Sequence, residues 1–260
     1  MVNPGIQYGG LLGYSKYLIN SQLDKSFTSR SILIEGKTEW PEVFDKINKA
    51  ALKLPCIIKP DIGERSKGVK CVHDIEALRE SLNTQNSSIF IEEFIHAKNE
   101  YGILYSKLPG ETAGEISSFV RKVGIPQEAE DKLNFSHISK KLRFEDLTPY
   151  ITKELVVHFD KISTEINGFY FGRFDIKANN IEELTKGVFT IIELNGIGSV
   201  PLHVYDPHTS IRACYKHYGR HYKRALEIAT ANNDSTFYRY DLTALLSMII
   251  KTYVHLNKIS

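Results

Sequence analysis

The sequence predicts an α+β fold, with mostly antiparallel sheets and packed helices rather than a regular βαβ array. Three strand candidates, Ser88–Ile95, Gly102–Tyr105 and Glu115–Val123, follow one another with no helical pattern between them. Two more, Phe169–Lys177 and Val188–Asn195, are separated by a short polar connection. Helical periodicity is confined to stretches before, between and after these groups.

The first 38 residues are glycine-rich and irregular, with a short helix expected around Ser15–Gln22 and a strand at Ser31–Glu35. Trp40–Lys53 reads as a helix, because Val43, Phe44, Ile47, Ala50, Ala51 and Leu54 fall on one face. Pro41 sits in its first turn, where a missing N–H costs nothing. Pro55 breaks it, and Cys56–Lys59 reads as a short buried strand ended by Pro60. The polar loop DIGERSKG follows, then a strand at Val69–Val72. Asp74 is a good cap for a helix carrying Ile75, Leu78 and Leu82. After the three central strands, Gly124–Glu145 is polar and has no clear pattern. Thr148–Ile166 is a strong helix, capped by Thr148, with Pro149 in its first turn and Gly168 placed to stop it. Past the last two strands the tail is helical, roughly Ser210–Ala231 and then Leu242–Leu256. The second of these carries an apolar face of Leu242, Leu245, Leu246, Ile249, Ile250 and Tyr253.

Composition narrows the class of function. The chain has 260 residues, of which 42% are hydrophobic and 25% charged, so disorder and collagen-like repeats are excluded. The balance of 33 Lys+Arg against 31 Asp+Glu leaves +2, too small to imply a nucleic-acid or membrane partner. No apolar run approaches the roughly 20 residues that cross a bilayer, and the N-terminus lacks a signal-peptide pattern. Cys56, Cys71 and Cys214 are odd in number and form no CxxC, which argues against a disulfide framework or a zinc site. Buried thiols in a reducing cytoplasm are expected instead.

Several familiar motifs are missing: GxxxxGK[ST], GxGxxG, HExxH and GxSxG. His217 and His221 share a helix face at i, i+4, but Lys and Arg crowd them and a solvated face is expected there. Three signals are positive. Lys59 ends a buried strand and adjoins a loop with Gly63, Ser66, Lys67 and Gly68, a composition that can cradle phosphate oxygens. The alternative is an exposed turn beside a snorkelling lysine. Glu92, Glu93, Phe94 and Ile95, followed by Glu100, would suit adenine and ribose, the alternative being solvated acids at a strand end. The third signal is the most specific. Arg173 and Asp175 share a face of one strand, and Glu193 and Asn195 share a face of the next. If those strands pair, three hard oxygen ligands converge beside an arginine, a set suited to Mg²⁺ completed by phosphates. Two inward acids there should repel, so Glu193→Gln is expected to leave the ligand-free fold no less stable.

In this order the segments resemble the ATP-grasp superfamily, and within it the carboxylate–amine ligases of the D-alanine–D-alanine ligase type. The resemblance runs from about Tyr14 to Pro207 and includes the ending ELNGIGSVPLHVYDP. It implies that Lys59 and Lys16 contact the α- and β-phosphates, with Lys59 and Arg173 as catalytic groups. The Gly63–Gly68 loop would be a lid that closes over the phosphates when nucleotide binds. Glu92 to Ile95 would hold adenine and Glu100 the ribose. Asp175, Glu193 and Asn195 would hold two Mg²⁺ ions, with Mn²⁺ an acceptable substitute. The family also places a lysine near the γ-phosphate, for which Arg121 and Lys122 are the candidates here.

The function the resemblance implies is ATP- and Mg²⁺-dependent formation of an acylphosphate from a small-molecule carboxylate, which an amine or similar nucleophile then captures. The alternatives are a small-molecule kinase on the same scaffold, or an ATP-binding module without catalysis. The expected division is a leading segment (1–38), a small subdomain with the lid (39–95), a large subdomain with the metal site (96–207) and a helical tail (208–260). The ligases carry an N-terminal substrate domain of roughly a hundred residues. This chain starts almost at the ATP-grasp region, so the expectation is a fragment, a short family member, or a chain dependent on a partner, either a second copy in a homodimer or a separate N-terminal substrate domain.

Overall fold

The computed structural model describes residues 1–63, 68–83, 87–124, 142–232 and 242–258. The expected lid residues Ser66 and Lys67, and most of the polar stretch after Gly124, lie outside them.

Two antiparallel sheets organise the chain, as predicted. The four-stranded sheet contains β1 (Ser31–Ile34), β2 (Cys56–Pro60), β3 (Lys70–Val72) and β4 (Ile89–Glu93), in the order β1-β4-β2-β3. The five-stranded sheet contains β5 (Asn99–Ser106), β6 (Glu115–Val123), β7 (Arg143–Asp146), β8 (Phe171–Ala178) and β9 (Thr190–Asn195), in the order β7-β6-β5-β8-β9. The helices are α1 (Lys16–Asn20), α2 (Trp40–Lys49), α3 (Ile75–Asn83), α4 (Lys153–Glu165), α5 (Ile181–Thr185), α6 (Ile211–Ala231) and α7 (Leu242–Lys258).

Strand alternation sorts the two faces of each sheet. In the small sheet, Cys56, Ile58, Ile89 and Ile91 pack with Val43 and Ile47 of α2 and Leu78 of α3. Burial pushes the Cys56 thiol up to about 12, so it stays protonated. In the large sheet, Tyr101, Ile103, Phe119, Phe174 and Ile176 pack on Leu155, Phe159 and Ile162 of α4. That leaves the opposite faces, with Lys59, Phe90 and Glu92 on one sheet and Arg173, Asp175 and Lys177 on the other, available for a site.

The elements differ from expectation at specific residues. α2 stops at Lys49 because Ala51 takes a left-handed conformation, φ 49°, which no helix continues through. The cap expected at Thr148 lies four residues later. Thr148–Tyr150 forms a single 3₁₀ turn, and the hydroxyl of Thr152 accepts from Leu155 N at 3.1 Å to start α4. The β8–β9 connection holds α5, capped by Asn180 accepting from Glu183 N at 2.8 Å. The apolar face of α7 is largely uncovered: Met248 and Thr252 are buried, but Ile250 and Tyr253 are exposed.

The glycine-rich start is a clamp on the end of β9. Asn3 is fully buried; its amide donates to Gly9 O (3.0 Å) and Phe171 O (2.8 Å) and accepts from Tyr170 N and Phe171 N. Gly10 lies against Gly196, where a Cβ on either would meet the other's Cα at 2.6 Å. Gly198 N donates to Gly10 O at 3.2 Å. Gly196→Ala should therefore displace the chain leaving Asn195 and cost about 1–3 kcal/mol, read as a lower urea midpoint. An unchanged midpoint would contradict the clamp.

Candidate active site

β8 and β9 pair as the sequence predicts. Arg173 lies opposite Asn195 and Asp175 opposite Glu193, all on one face. Between Asp175 and Ile176 the register shifts, so Ile192 is an extra residue on β9. Such a bulge re-aims the chain locally. Here it returns Ile191 and Leu194 to the core and turns the Ile192 carbonyl toward the small sheet. Lys59 Nζ donates to that carbonyl at 3.0 Å, and this bond ties the two sheets together.

Lys59 itself is buried. Its ammonium donates to Glu92 Oε1 at 2.7 Å and lies 4.7 Å from the centre of the Phe90 ring. Lys59 is paired in register with Phe90, so Glu92 is the diagonal neighbour on the same face. Burial raises the Glu92 carboxyl above its ordinary value, against the pull of Lys59, and the charge of Glu193 adds to the rise.

Lys16 opens α1, whose N-terminus is fixed by Ser15 and Asp61. Ser15 Oγ donates to Asp61 Oδ1 and Tyr17 N donates to the same oxygen, both at 2.9 Å. From there Lys16 Nζ reaches Glu193 Oε1 at 3.1 Å and donates to Gly63 O at 2.6 Å. Gly63 is thereby held beside Glu193. Burial opposes ionisation of Glu193, but Lys16, Lys59 and Arg173 outweigh it and pull the carboxyl down to about 2. Lys16, Lys59, Phe90 and Glu193 line a narrow cleft between α1, the small sheet and β9.

Arg173 forks onto Asp175, Nε to Oδ1 at 2.8 Å and Nη2 to Oδ2 at 3.0 Å, and Nη1 donates to Val200 O at 3.3 Å. Burial opposes the Arg173 charge, yet Asp175 and Glu193 more than offset it and raise its pKa. Asn195 Nδ2 donates to Asp175 Oδ2 at 3.3 Å, and Tyr14 OH donates to Asn195 Oδ1 at 3.4 Å. Gly102 lies across from Asp175, and the side chain of Leu202 fills the space a Cβ would occupy.

The remaining predicted residues divide. Glu100 pairs with Lys122, which also stands 3.8 Å from Asp175 Oδ2. Burial opposes the Lys122 charge, but Asp175 and Glu100 raise its pKa. Phe94 and Ile95 sit beside Lys177, whose Nζ lies 4.9 Å from the Phe94 ring centre and donates to Ile95 O at 3.4 Å. Glu93 is not brought into this group. Strand alternation turns it away from Glu92 to accept from Lys53 N at 2.9 Å and to meet Arg30 at 3.3 Å. Arg121 also points elsewhere, onto Glu145 at 2.7 Å. Sequence reading missed Lys177, although it continues the same alternation from Arg173 and Asp175. It also misplaced His221, which is buried under α6 rather than solvated.

The metal question rests on donor chemistry. Among the described residues no three His, Cys, Asp or Glu side chains gather. The set here is two carboxylates and an amide on adjoining strands, all hard oxygen donors, and each carboxylate now faces a protein cation. That donor set fits Mg²⁺ when phosphate oxygens supply the other positions.

Solved structures with the same architecture include D-alanine–D-alanine ligase of Bacillus anthracis, in two crystal structures, one complexed with ATP. They match at 18% identity with TM-scores of 0.50 and 0.52, over 91% and 83% of this chain and 67% of theirs. This is the ATP-grasp fold. VanG D-Ala:D-Ser ligase of Enterococcus faecalis shares it at 15% identity and a TM-score of 0.50, over 82% of this chain and 59% of its own. No protein-family model and no curated protein matches the sequence. Within the ATP-grasp fold, the cleft between the two sheets is the place where the charged residues above converge. Among the described residues no helix is long and apolar enough to cross a membrane.

Proposed function

We propose that this chain uses Mg²⁺ and ATP to activate a small-molecule carboxylate and joins it to an amine or similar nucleophile. The observation that carries the reading is the register of Arg173-x-Asp175 against Glu193-x-Asn195, with Lys16 and Lys59 on the facing elements.

The residues act as follows. Lys16 and Lys59 exchange their protein carboxylates for α- and β-phosphate oxygens when nucleotide enters. Asp175, Glu193 and Asn195 would hold Mg²⁺, which when bound would neutralise charge on the phosphate oxygens. Phe94 and Ile95 receive the adenine and Glu100 the ribose. The carboxylate oxygen attacks the γ-phosphorus, the bond to the β-phosphate oxygen breaks, and ADP leaves with that electron pair. Arg173 stabilises the transferred phosphoryl oxygens, with Lys122 next to it in place for the γ-phosphate. The amine then attacks the acyl carbon, phosphate departs, and one proton is released.

The test is a screen of carboxylate pools with Mg-ATP and hydroxylamine as the nucleophile. Expected are ADP release that depends on Mg²⁺ and on one pool, and a hydroxamate of the matching mass. A product that keeps the phosphoryl group would make the chain a kinase. Nucleotide binding without ADP release in any pool would leave it a binding module.

A further inference from the structure

α6 carries two exposed stripes side by side. At about 100° per residue, Ile211, Tyr215, Tyr222 and Leu226 fall within roughly 60° of arc, beside the face on which His221, Ala225 and Ile228 are buried. These four are 57% to 76% exposed. Tyr218 lies at the inner edge of the stripe, its ring stacked on Tyr222 with centres 6.1 Å apart. Outside the stripe, within a further arc of about 80°, stand Arg212, Lys216, Arg220 and Lys223, all exposed.

The chain does not neutralise the basic stripe. Glu227 stands 4.0 Å from Lys223 and 3.6 Å from Arg224, and Arg224 also meets Glu111. Glu115 lies by Arg220 in the crevice beside α6. Five cations therefore stand against three acids, which leaves a local charge of +2. Arg212 and Lys216 form no ion pair among the described residues.

Between the stripes is a notch. Gly219 sits near the middle of α6, where glycine costs about 1 kcal/mol relative to alanine. No atom lies within 4 Å of where its Cβ would stand, so nothing inside the chain requires it. Its neighbours at i−4, i−3, i+3 and i+4 are Tyr215, Lys216, Tyr222 and Lys223. The gap thus has two phenol rings on one side and two ammonium groups on the other.

We propose that this face of α6 docks an acidic amphipathic helix of a partner polypeptide, with a carboxylate of that helix entering the Gly219 notch. The apolar positions 211, 215, 218 and 222 alternate spacings of four and three, the repeat that a helix laid alongside reads. The cations on the outer flank supply the complementary charge. Lipid adapts to any contour, so an open glycine in the stripe gains it nothing, whereas a rigid partner approaches more closely there. The docked helix would lie near the candidate active site. His221 of α6 meets the Phe171 ring at 4.7 Å, and Phe171 precedes Arg173 by two residues on β8. The docking face does not depend on the function proposed above.

The experiment measures the fluorescence anisotropy of a labelled peptide of 21 residues, the length of α6, with leucines at alternating spacings of three and four and glutamate at most other positions. The full chain should bind it saturably. A version with lysine in place of each glutamate should bind at least about tenfold more weakly. Lys216→Glu should weaken binding of the acidic peptide about tenfold or more. Gly219→Ala should weaken it similarly while raising the urea midpoint of the free chain, because alanine is the better helix former. A purely structural role for Gly219 would not move stability and binding in opposite directions. The proposal is overturned if the acidic peptide does not bind, if the basic peptide binds equally well, or if Gly219→Ala leaves binding unchanged. Tighter binding of phosphatidylserine vesicles or of a single-stranded oligonucleotide would overturn it too, and would assign the face to lipid or nucleic acid.

Discussion

Lys59→Met is expected to destabilise the folded chain by about 3–5 kcal/mol, because it leaves a buried Glu92 with no countercharge. The pair is sealed by Phe90 on one side and by the Ile192 carbonyl on the other. Glu92 already has a raised pKa with Lys59 present. Without the lysine the rise is larger, and the variant takes up a proton there on folding. A raised folded-state pKa contributes stability that is present below the unfolded value of about 4.5 and lost as pH rises. Urea unfolding should therefore show a larger deficit at pH 8 than at pH 5. Adding Glu92→Gln to Lys59→Met should recover most of the loss at pH 8, because no buried charge remains. A single-variant cost below about 1 kcal/mol would contradict a sealed pair.

Glu193→Gln should reduce phosphoryl transfer by a hundredfold or more while the chain still folds. It should also weaken the ligand-free protein, and here the structure reverses the expectation from sequence. Asp175 does lie opposite Glu193, but Lys16, Lys59 and Arg173 surround the carboxylate and their attraction dominates. Its pKa falls from an ordinary 4.5 to about 2. A depressed pKa contributes stability present above the unfolded value and lost as pH falls through the folded one. The wild type should exceed the variant by on the order of 2 kcal/mol at pH 7, discounted because the side chain is 31% exposed. That margin should shrink between pH 4.5 and 2. Equal stability across the range would mean that the three cations do not hold Glu193.

The parts legible in the sequence were those set by local periodicity. Alternation in FGRFDIKA and TIIELN is enough to place Arg173 with Asp175 on one face of β8 and Glu193 with Asn195 on one face of β9; that the two faces coincide is set by the register between the strands. Alternation also separates Glu92 from Glu93, a distinction lost when both are read as one acidic pair. The bulge at Ile192 is not a local preference. It arises where Lys59 draws the carbonyl across from another sheet, and no spacing within β9 signals it. Asn3, Gly10 and Gly196 look like loop composition until residues far apart in sequence are brought together. Thr148 and Thr152 both precede apolar helical residues, and Pro149 favours the first on pattern alone. The choice falls to Thr152 because Thr148 Oγ1 instead accepts from Phe119 N at 3.3 Å. His221 was hidden for a similar reason: charged neighbours on α6 mask a position that turns onto Phe171.

The central claim is that the cleft between the two sheets binds Mg-ATP. Its most direct measurement is the thermal shift of the full chain with Mg-ATP, with NAD as the control. At a hundred times its dissociation constant, Mg-ATP should add about 2.7 kcal/mol and raise the melting temperature, while NAD leaves it unchanged. Stabilisation by NAD with none from millimolar Mg-ATP would contradict the account.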